Sequence, residues 1–458
     1  MSVMEVWIID SHVFDIFIND IYNFSQKQFP DTIIEQAKKC LLDYLGVTIA
    51  GSSMLKIKGS KLLNLLDNVR PFISIVGFNK KNDLLSTAFI NGLSAHILEL
   101  DDGVRFGAIH PGAPIISALL AVSEKEKVDG KTFLLSVIVG YEAAIRIASS
   151  IQPSHYDKGY HPTGTCGTIG AAVATSVAMK LTKKEMKNSI ATAVISAFGT
   201  LKVIENNSDL KPFNVGRASL LGLLSSYTAK AGFEGPDDVF LGNTGFLNMM
   251  ADKYDLHHLK MKKNDECRIK KVYFKKHAAC RHCHSPIDAT LKIKSKHSIE
   301  IGEIKEIRVR TYNLIIGKHD HSKVSSVSSA KMSIPFSVAI TLLNGKAGIH
   351  EFSEKCIQDS SATSLMNKIR VIADDKLSAL VPNVRSAIVE IITEDGKCYS
   401  EHVDHPKGEP ENPLTDQELF DKFKSLASYA NKTEEEAEKI IDCVMNLEDK
   451  LDELYPLL

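Results

Sequence analysis

The sequence lacks an excess of charge of either sign: 55 Lys+Arg against 56 Asp+Glu leave a formal net charge of −1. Proteins that live by nucleic-acid contact usually carry a basic surplus, so nothing here points to that class. Long hydrophobic runs are also missing. The longest apolar stretches, such as Leu134 to Ala144, are broken by Gly140 and Glu142 and fall short of the roughly 20 residues a membrane span needs. The N-terminus carries Glu5, Asp10 and Asp15 and no basic cluster, which argues against a secretory signal or transit peptide. Only 8 cysteines are spread over 458 residues. That density does not make a disulfide scaffold, so free thiols in a reducing cytoplasm are expected. Internal repeats and low-complexity tracts are absent. What is present is ordinary for a globular protein: 44% apolar and 24% charged residues, enough apolar material to exclude disorder as the main state.

From about Ile8 to Ala251 the pattern reads as helix after helix. Candidates are Pro30 to Ile49, Leu84 to Leu100, Ala113 to Glu126, Gly130 to Ser149, Gly167 to Leu181, Lys184 to Ser196 and Gly216 to Ala231. Several carry Ala, Gly and Ser on more than one face, which predicts helices buried on several sides and packed closely together. Gly235-Pro236-Asp237-Asp238 marks a loop. After Asp265 the character changes. Ile304 to Tyr312 alternates like a strand. Ser386 to Ile392 and Tyr399 to Val403 flank Glu394-Asp395-Gly396-Lys397, a hairpin signal. Helical stretches near Pro286 to Lys294 and Pro335 to Leu343 lie between. From Asn412 the chain turns helical again, with Thr415 and Glu418 spaced as a capping box. The expected fold is mainly α. A large helical domain occupies residues 1–267, an inserted α+β domain 268–404, and a helical return 405–458 that packs on the first part.

The chemistry-bearing motifs narrow the function. No P-loop pattern occurs. Gly164, Gly167 and Gly170 are spaced three apart, without the strand and acidic residue of a dinucleotide site, so they read as close helix packing. Cys280-Arg281-His282-Cys283-His284, with His277 and Cys267 upstream, could hold a metal. Structural zinc usually needs two ligand pairs, and there is no second CxxC, so buried thiols beside a functional histidine is the simpler reading. His110 and His161 each stand before proline at a helix start, and His284 precedes Ser285-Pro286. The His-Pro step keeps a histidine extended and outside the helix, and the adjoining helix N-termini favour an anion. Imidazoles beside such helix ends suit proton transfer on a carboxylate substrate. The acids Glu99, Asp101 and Asp102 read either as a solvated helix end or as groups that orient a histidine. Lys211, just before Pro212 and an apolar helix, is placed near a site.

These segments together resemble the MmgE/PrpD family. The matching motifs, in the family's order, are His96-Ile-Leu-Glu-Leu-Asp-Asp102, Ile109-His-Pro-Gly-Ala113, Gly159-Tyr-His-Pro-Thr163, Leu210-Lys-Pro-Phe213 with Gly216, and Cys280-Arg-His-Cys-His284 with Ile287-Asp-Ala289. Lys331-Met-Ser-Ile-Pro-Phe336 and Asn412-Pro-Leu-Thr415 extend the resemblance over nearly the whole chain. The resemblance implies a large helical domain with a smaller α+β lid domain and a homodimer. It also implies no cofactor and no metal, and a small polycarboxylate substrate with neither nucleic acid nor membrane as partner. The activities it implies are 2-methylcitrate dehydration, cis-aconitate decarboxylation and iminodisuccinate epimerisation. Carried over by motif, His110, His161, Lys211 and His284 fall at active-site positions. Glu99 stands where many members have Asp. Tyr312 is a candidate for a tyrosine some members use.

The reaction expected first is dehydration of a hydroxy-polycarboxylate such as 2-methylcitrate. His161 or His110 would take the proton α to a carboxylate, and a protonated His284 would help hydroxide leave. Lys211 and Arg281, with Tyr312, would hold the substrate, and Glu99 or Asp102 would orient a histidine. An epimerase or a decarboxylase would use the same groups. A non-catalytic polycarboxylate-binding protein is the reading from outside enzymology.

Overall fold

A computed structural model describes residues 12–66, 72–204 and 208–458. The N-terminal acids Glu5 and Asp10 lie outside the described residues. The chain divides into two compact units. Unit 1 comprises the described residues up to Ile97, Asp101–Val272 and Asp416–Leu458; unit 2 comprises Leu98–Leu100 and Tyr273–Thr415.

Unit 1 is helical, with a two-stranded ribbon of β1 (Ile73–Ile75) and β2 (Lys80–Asn82). Small residues set its packing. Every residue of the helix Pro162–Ala178 is buried. A Cβ on Gly170 would come within 2.6 Å of the Ala144 Cβ on the helix Gly130–Ile151, and one on Gly167 within 2.7 Å of Pro114 on the helix Gly112–Glu126. The evenly spaced glycines are therefore contact points between helix backbones, where any side chain would push the helices apart. Asp83 and Asp129 cap the helices Leu84–His96 and Gly130–Ile151 through their side chains, satisfying amide groups the first turn leaves open. The helix Asp31–Leu66 runs on past Ile49, because Gly51, Ser52 and Ser53 read as a stop only in isolation. Tertiary contact overrides their poor propensity.

Two helices, Asp31–Leu63 and Gly130–Ile151, do reach the length and hydropathy of a membrane span. This corrects the reading that every apolar stretch is too short. Their apolar windows are 78% and 94% buried inside the protein; they are apolar all round because other helices surround them. The C-terminal part returns as the helices Asp416–Tyr429, Glu434–Met445 and Leu447–Leu454. The first of these lays Phe423 and Leu426 against Gly46 and pairs Lys422 with Asp43.

Unit 2 is built on a four-stranded sheet in the order β4-β3-β5-β6. The strands are β3 (Ile304–Thr311), β4 (Ile369–Ala373), β5 (Ala387–Thr393) and β6 (Cys398–Val403). β5 and β6 form the hairpin through Gly396, whose φ of 83° needs a glycine. β3 pairs antiparallel with β5 and parallel with β4. The parallel step needs a crossover, which the helices Ile334–Asn344 and Ser360–Met366 supply. Ile304, Ile307, Val309, Val389 and Ile391 line one buried face. The boundary falls between Val272 and Tyr273. Arg268 is held by the Glu142 carboxylate within unit 1, whereas Phe274 bonds to Gly408 within unit 2. Residues 268–272 therefore group with the helical unit and 405–415 with the sheet unit.

Candidate active site

In unit 1 three histidines come together. His96 ends the helix Leu84–His96, and its ring lies 5.1 Å from that of His110 and 5.7 Å from that of His161. His161 is the N-cap of the helix Pro162–Ala178, in extended conformation with proline at the next position, and its side chain caps nothing. The His-Pro step thus turns the imidazole away from the helix it begins. His110 stands two residues before the helix Gly112–Glu126. Its backbone N–H donates to Thr163 Oγ1 at 3.1 Å, which joins the two His-Pro turns.

Hydrogen-bond partners fix which nitrogen of each ring is protonated. His110 Nδ1 lies 2.5 Å from the Asp102 carbonyl oxygen. A carbonyl only accepts, so Nδ1 carries the hydrogen and Nε2 is the basic nitrogen of the neutral ring. His161 has the opposite arrangement. The Asn214 amide nitrogen donates to the Thr200 carbonyl at 3.2 Å and to His161 Nδ1 at 3.3 Å. The carbonyl orients the amide, His161 Nδ1 accepts, and Nε2 carries the hydrogen. His96 Nδ1 donates to Asp101 Oδ2 at 2.6 Å. Its Nε2 is buried without a hydrogen-bond partner among the described residues.

Asp102 acts through its backbone and not through the carboxylate expected to orient a histidine. The carboxyl accepts from Gly112 N–H at 3.1 Å and from the Tyr141 hydroxyl at 2.7 Å. Burial, then the charge of Asp43, pushes its pKa up to about 8. A Cβ on Gly112 would sit 2.5 Å from the Tyr141 hydroxyl, so glycine is required there. The carboxylate that pairs with a histidine is Asp101. Lys211 is the first residue of the helix Lys211–Lys230 and half-buried, one turn from Asn214.

Unit 2 holds the other expected residues. Glu99 has a φ of 56°, in the left-handed region that non-glycine residues avoid. Two buried lysines hold this segment: Lys275 Nζ donates to the Glu99 carbonyl at 2.9 Å and Lys331 Nζ to the Leu98 carbonyl at 3.0 Å. The Glu99 carboxylate lies 3.8 Å from Lys275 Nζ. Arg281 is paired with the buried Glu409 through Nε and Nη2, and its Nη1 is buried without a hydrogen-bond partner among the described residues. Most of its fork is therefore committed within the protein. Tyr312 is buried with its hydroxyl on His282 Nδ1.

His284 meets the opposite environment to the one expected. It is buried, its Nε2 donates to the Ala279 carbonyl at 3.2 Å, and burial together with the charges of Arg281, His277 and Lys275 pushes its pKa well below the imidazole range. A protonated His284 at neutral pH is corrected to a neutral one. Beside it His277 donates to Asp288 at 2.7 Å.

The structure therefore gathers His110, His161, Lys211 and Asp102 in unit 1 and Glu99, Arg281, His284 and Tyr312 in unit 2. Sequence reasoning missed His96, Thr163 and Asn214 in the first group and Lys275 and Lys331 in the second, and named Asp101 only as one of three acids that could orient a histidine. His96 and Asp101 were present in a quoted motif, with a spacing of five that a tight turn after a helix could have suggested. Among the described residues, two clusters have donor atoms within 4.8 Å of one another and a composition a metal could use: His96, Asp101 and His110, and Cys280, His282 and His319. In the first, the His96–Asp101 hydrogen bond already accounts for the approach.

Comparison with known proteins agrees with this layout. Residues 19–259 match the MmgE/PrpD N-terminal domain and residues 277–448 the MmgE/PrpD C-terminal domain. A cis-aconitate decarboxylase-like protein of Aspergillus oryzae is 23% identical, over 95% of this chain and 94% of its own length. The cis-aconitate decarboxylase of Aspergillus terreus is 23% identical over 95% and 93%, and that of Homo sapiens 25% identical over 94% and 91%. With both domains matched in order and the histidine motifs of the first gathered in one cluster, the chain belongs to the MmgE/PrpD family of enzymes.

Proposed function

We propose that this enzyme is a cofactor-independent lyase that moves a proton at a carbon α to a carboxylate of a small polycarboxylate. The observation that carries the reading is the opposite protonation of two neighbouring histidines. His110 offers a basic Nε2 and His161 an Nε2–H. One ring is set to take a proton and the other to donate a hydrogen bond to the leaving oxygen.

In the dehydration reading, His110 Nε2 takes the α-proton. The C–H electron pair becomes the new C=C bond, and the β-hydroxyl, hydrogen-bonded by His161 Nε2–H, leaves as water with the proton that His110 has just taken. Charge on the developing enediolate is offset by Lys211 and by the amide-rich start of the helix Lys211–Lys230. His284, being neutral, is reassigned from acid to hydrogen-bonding group. All eight cysteines are free thiols, which suits the expected reducing cytoplasm.

Decarboxylation is the second reading, favoured by the names of the relatives. There carbon dioxide leaves while the C–C electron pair stays on the α-carbon, and His110, protonated on Nε2 by solvent beforehand, delivers the proton to it.

Proton NMR of the purified protein in deuterated buffer, with methylcitrate, citrate, cis-aconitate, tartrate and malate, separates the two. A new alkene signal with loss of an α-proton means dehydration. Loss of a carboxyl carbon with deuterium at the adjoining carbon means decarboxylation. Turnover undiminished in folded His110→Ala and His161→Ala variants would sink both; the expected loss is about 10²–10⁴-fold.

A further inference from the structure

The turn Cys280–His284 contains a group the proposed reaction does not use. Cys280 and His282 project from this turn, and His319 comes from the loop after Asn313–Ile315. Their ligand atoms all lie within 4.8 Å of one another, and each of the three residues is half-buried, neither sealed in the core nor fully in solvent. We propose that Cys280, His282 and His319 form a binding site for a divalent transition metal of the zinc type, closed by water as fourth ligand.

The donor set selects the metal. One thiolate and two imidazoles suit Zn²⁺ or Co²⁺, whereas Mg²⁺ and Ca²⁺ want oxygen ligands that this cluster does not offer. In a tetrahedral site with bonds of about 2.0–2.3 Å, donor atoms sit roughly 3.3–3.8 Å apart. Closing from 4.8 Å needs the donor atoms to approach by about an ångström.

The surroundings are those of a braced ligand set. His319 Nδ1 donates to the Met332 carbonyl at 2.8 Å, which leaves Nε2 as the nitrogen that can ligate. His282 has its Nδ1 on the Tyr312 hydroxyl. Such outer hydrogen bonds orient metal-binding imidazoles. The backbone is pinned from the same side: Cys280 N–H bonds to the Lys331 carbonyl and Ile334 N–H to the His319 carbonyl. The 280–283 turn and the 319 loop are thus both fastened to residues 331–334 before any ion binds. Against this stand Arg281, Arg385 and Lys318, whose charges act on His282. They favour the thiolate but oppose a dication, so the affinity expected is modest.

Cobalt reports the site directly. The reduced, chelator-treated full-length protein is titrated with Co²⁺ and followed by absorption. The expected result is one equivalent bound, with a sulfur-to-cobalt charge-transfer band in the near ultraviolet and tetrahedral ligand-field bands in the visible, all displaced by Zn²⁺. Cys280→Ser should abolish the charge-transfer band, and His319→Gln should weaken binding by at least about tenfold. Cys398→Ser, which alters an exposed thiol, should change neither. Circular dichroism checks that each variant is folded, and should Cys280→Ser fail that check, His319→Gln decides. Absence of the bands, or bands that persist at full affinity in the folded variants, overturns the proposal.

Discussion

The Thr163 hydroxyl accepts the backbone N–H of His110 at 3.1 Å, so each His-Pro turn positions the other. Thr163→Val keeps the shape and removes the acceptor. It should lower kcat about tenfold with little change in KM, and cost about 1–2 kcal/mol of stability for the stranded N–H. Thr163→Ser should restore kcat. Steady-state kinetics on the three proteins, with urea unfolding alongside, tests this. A wild-type kcat in the valine variant would show that the link between the turns has no part in catalysis.

Asn214 sets the proton on His161. In Asn214→Asp the carboxylate accepts only, so His161 Nδ1 must take the hydrogen and Nε2 loses it. The hydrogen-bond donor to the leaving oxygen would become an acceptor. The expected cost is about 10²-fold in kcat, with nitrogen-15 NMR of His161 showing the tautomer reversed. An unchanged tautomer together with unchanged kcat would refute the assignment of donor and base.

The reach of the sequence differs between these residues for physical reasons. His110 and His161 are legible because proline after histidine fixes a helix start, and the strands β3, β5 and β6 because burial on one face imposes a period of two. The helix Pro162–Ala178 begins five residues before the Gly167 that its run of small residues suggests, at the proline that the His-Pro step places at a helix start. β4 leaves little trace because as an edge strand only Ile369 is buried. Asp101 and Asp102 are adjacent and identical in type; only the fold gives one to a histidine and buries the other beside Asp43. The same holds for Lys275 and Lys276, one buried and one exposed.

Asp102 should make stability fall as pH rises. Its folded pKa of about 8 exceeds the unfolded value of about 3.9, so the folded state holds its proton more tightly. The stabilisation is complete below about pH 4 and lost as pH climbs toward about 8, with a slope of up to about 1.4 kcal/mol per pH unit. Asp102→Asn, which mimics the protonated acid, should flatten this slope in urea midpoints taken across the window. An identical pH dependence in the two proteins would mean that Asp102 is ionised in the fold.

His284 should contribute nothing to the acidic limb of catalysis. Its folded pKa is depressed by burial and by Arg281, so it stays neutral wherever the enzyme is active. His284→Gln is expected to lower kcat/KM while leaving the midpoint of the acidic limb in place. A shifted or missing limb in this variant would return His284 to the role of general acid.

Lys275 is expected to matter to stability far more than its neighbour. Its ammonium is buried against the Glu99 carboxylate and carbonyl, and Glu99 itself sits in a left-handed conformation that costs about 1–3 kcal/mol unless its surroundings impose it. Lys275→Met would leave a carbonyl and a carboxylate without their cation, a loss of about 3–5 kcal/mol for a buried pair broken from one side. Lys276→Met, at an exposed position, should stay within about 0.5 kcal/mol. The double variant Lys275→Met with Glu99→Gln removes both charges and should recover part of the loss, which a simple packing defect at Lys275 would not. Urea unfolding of the four proteins decides between these, and equal losses at Lys275 and Lys276 would mean that the 98–100 segment is not held by this lysine.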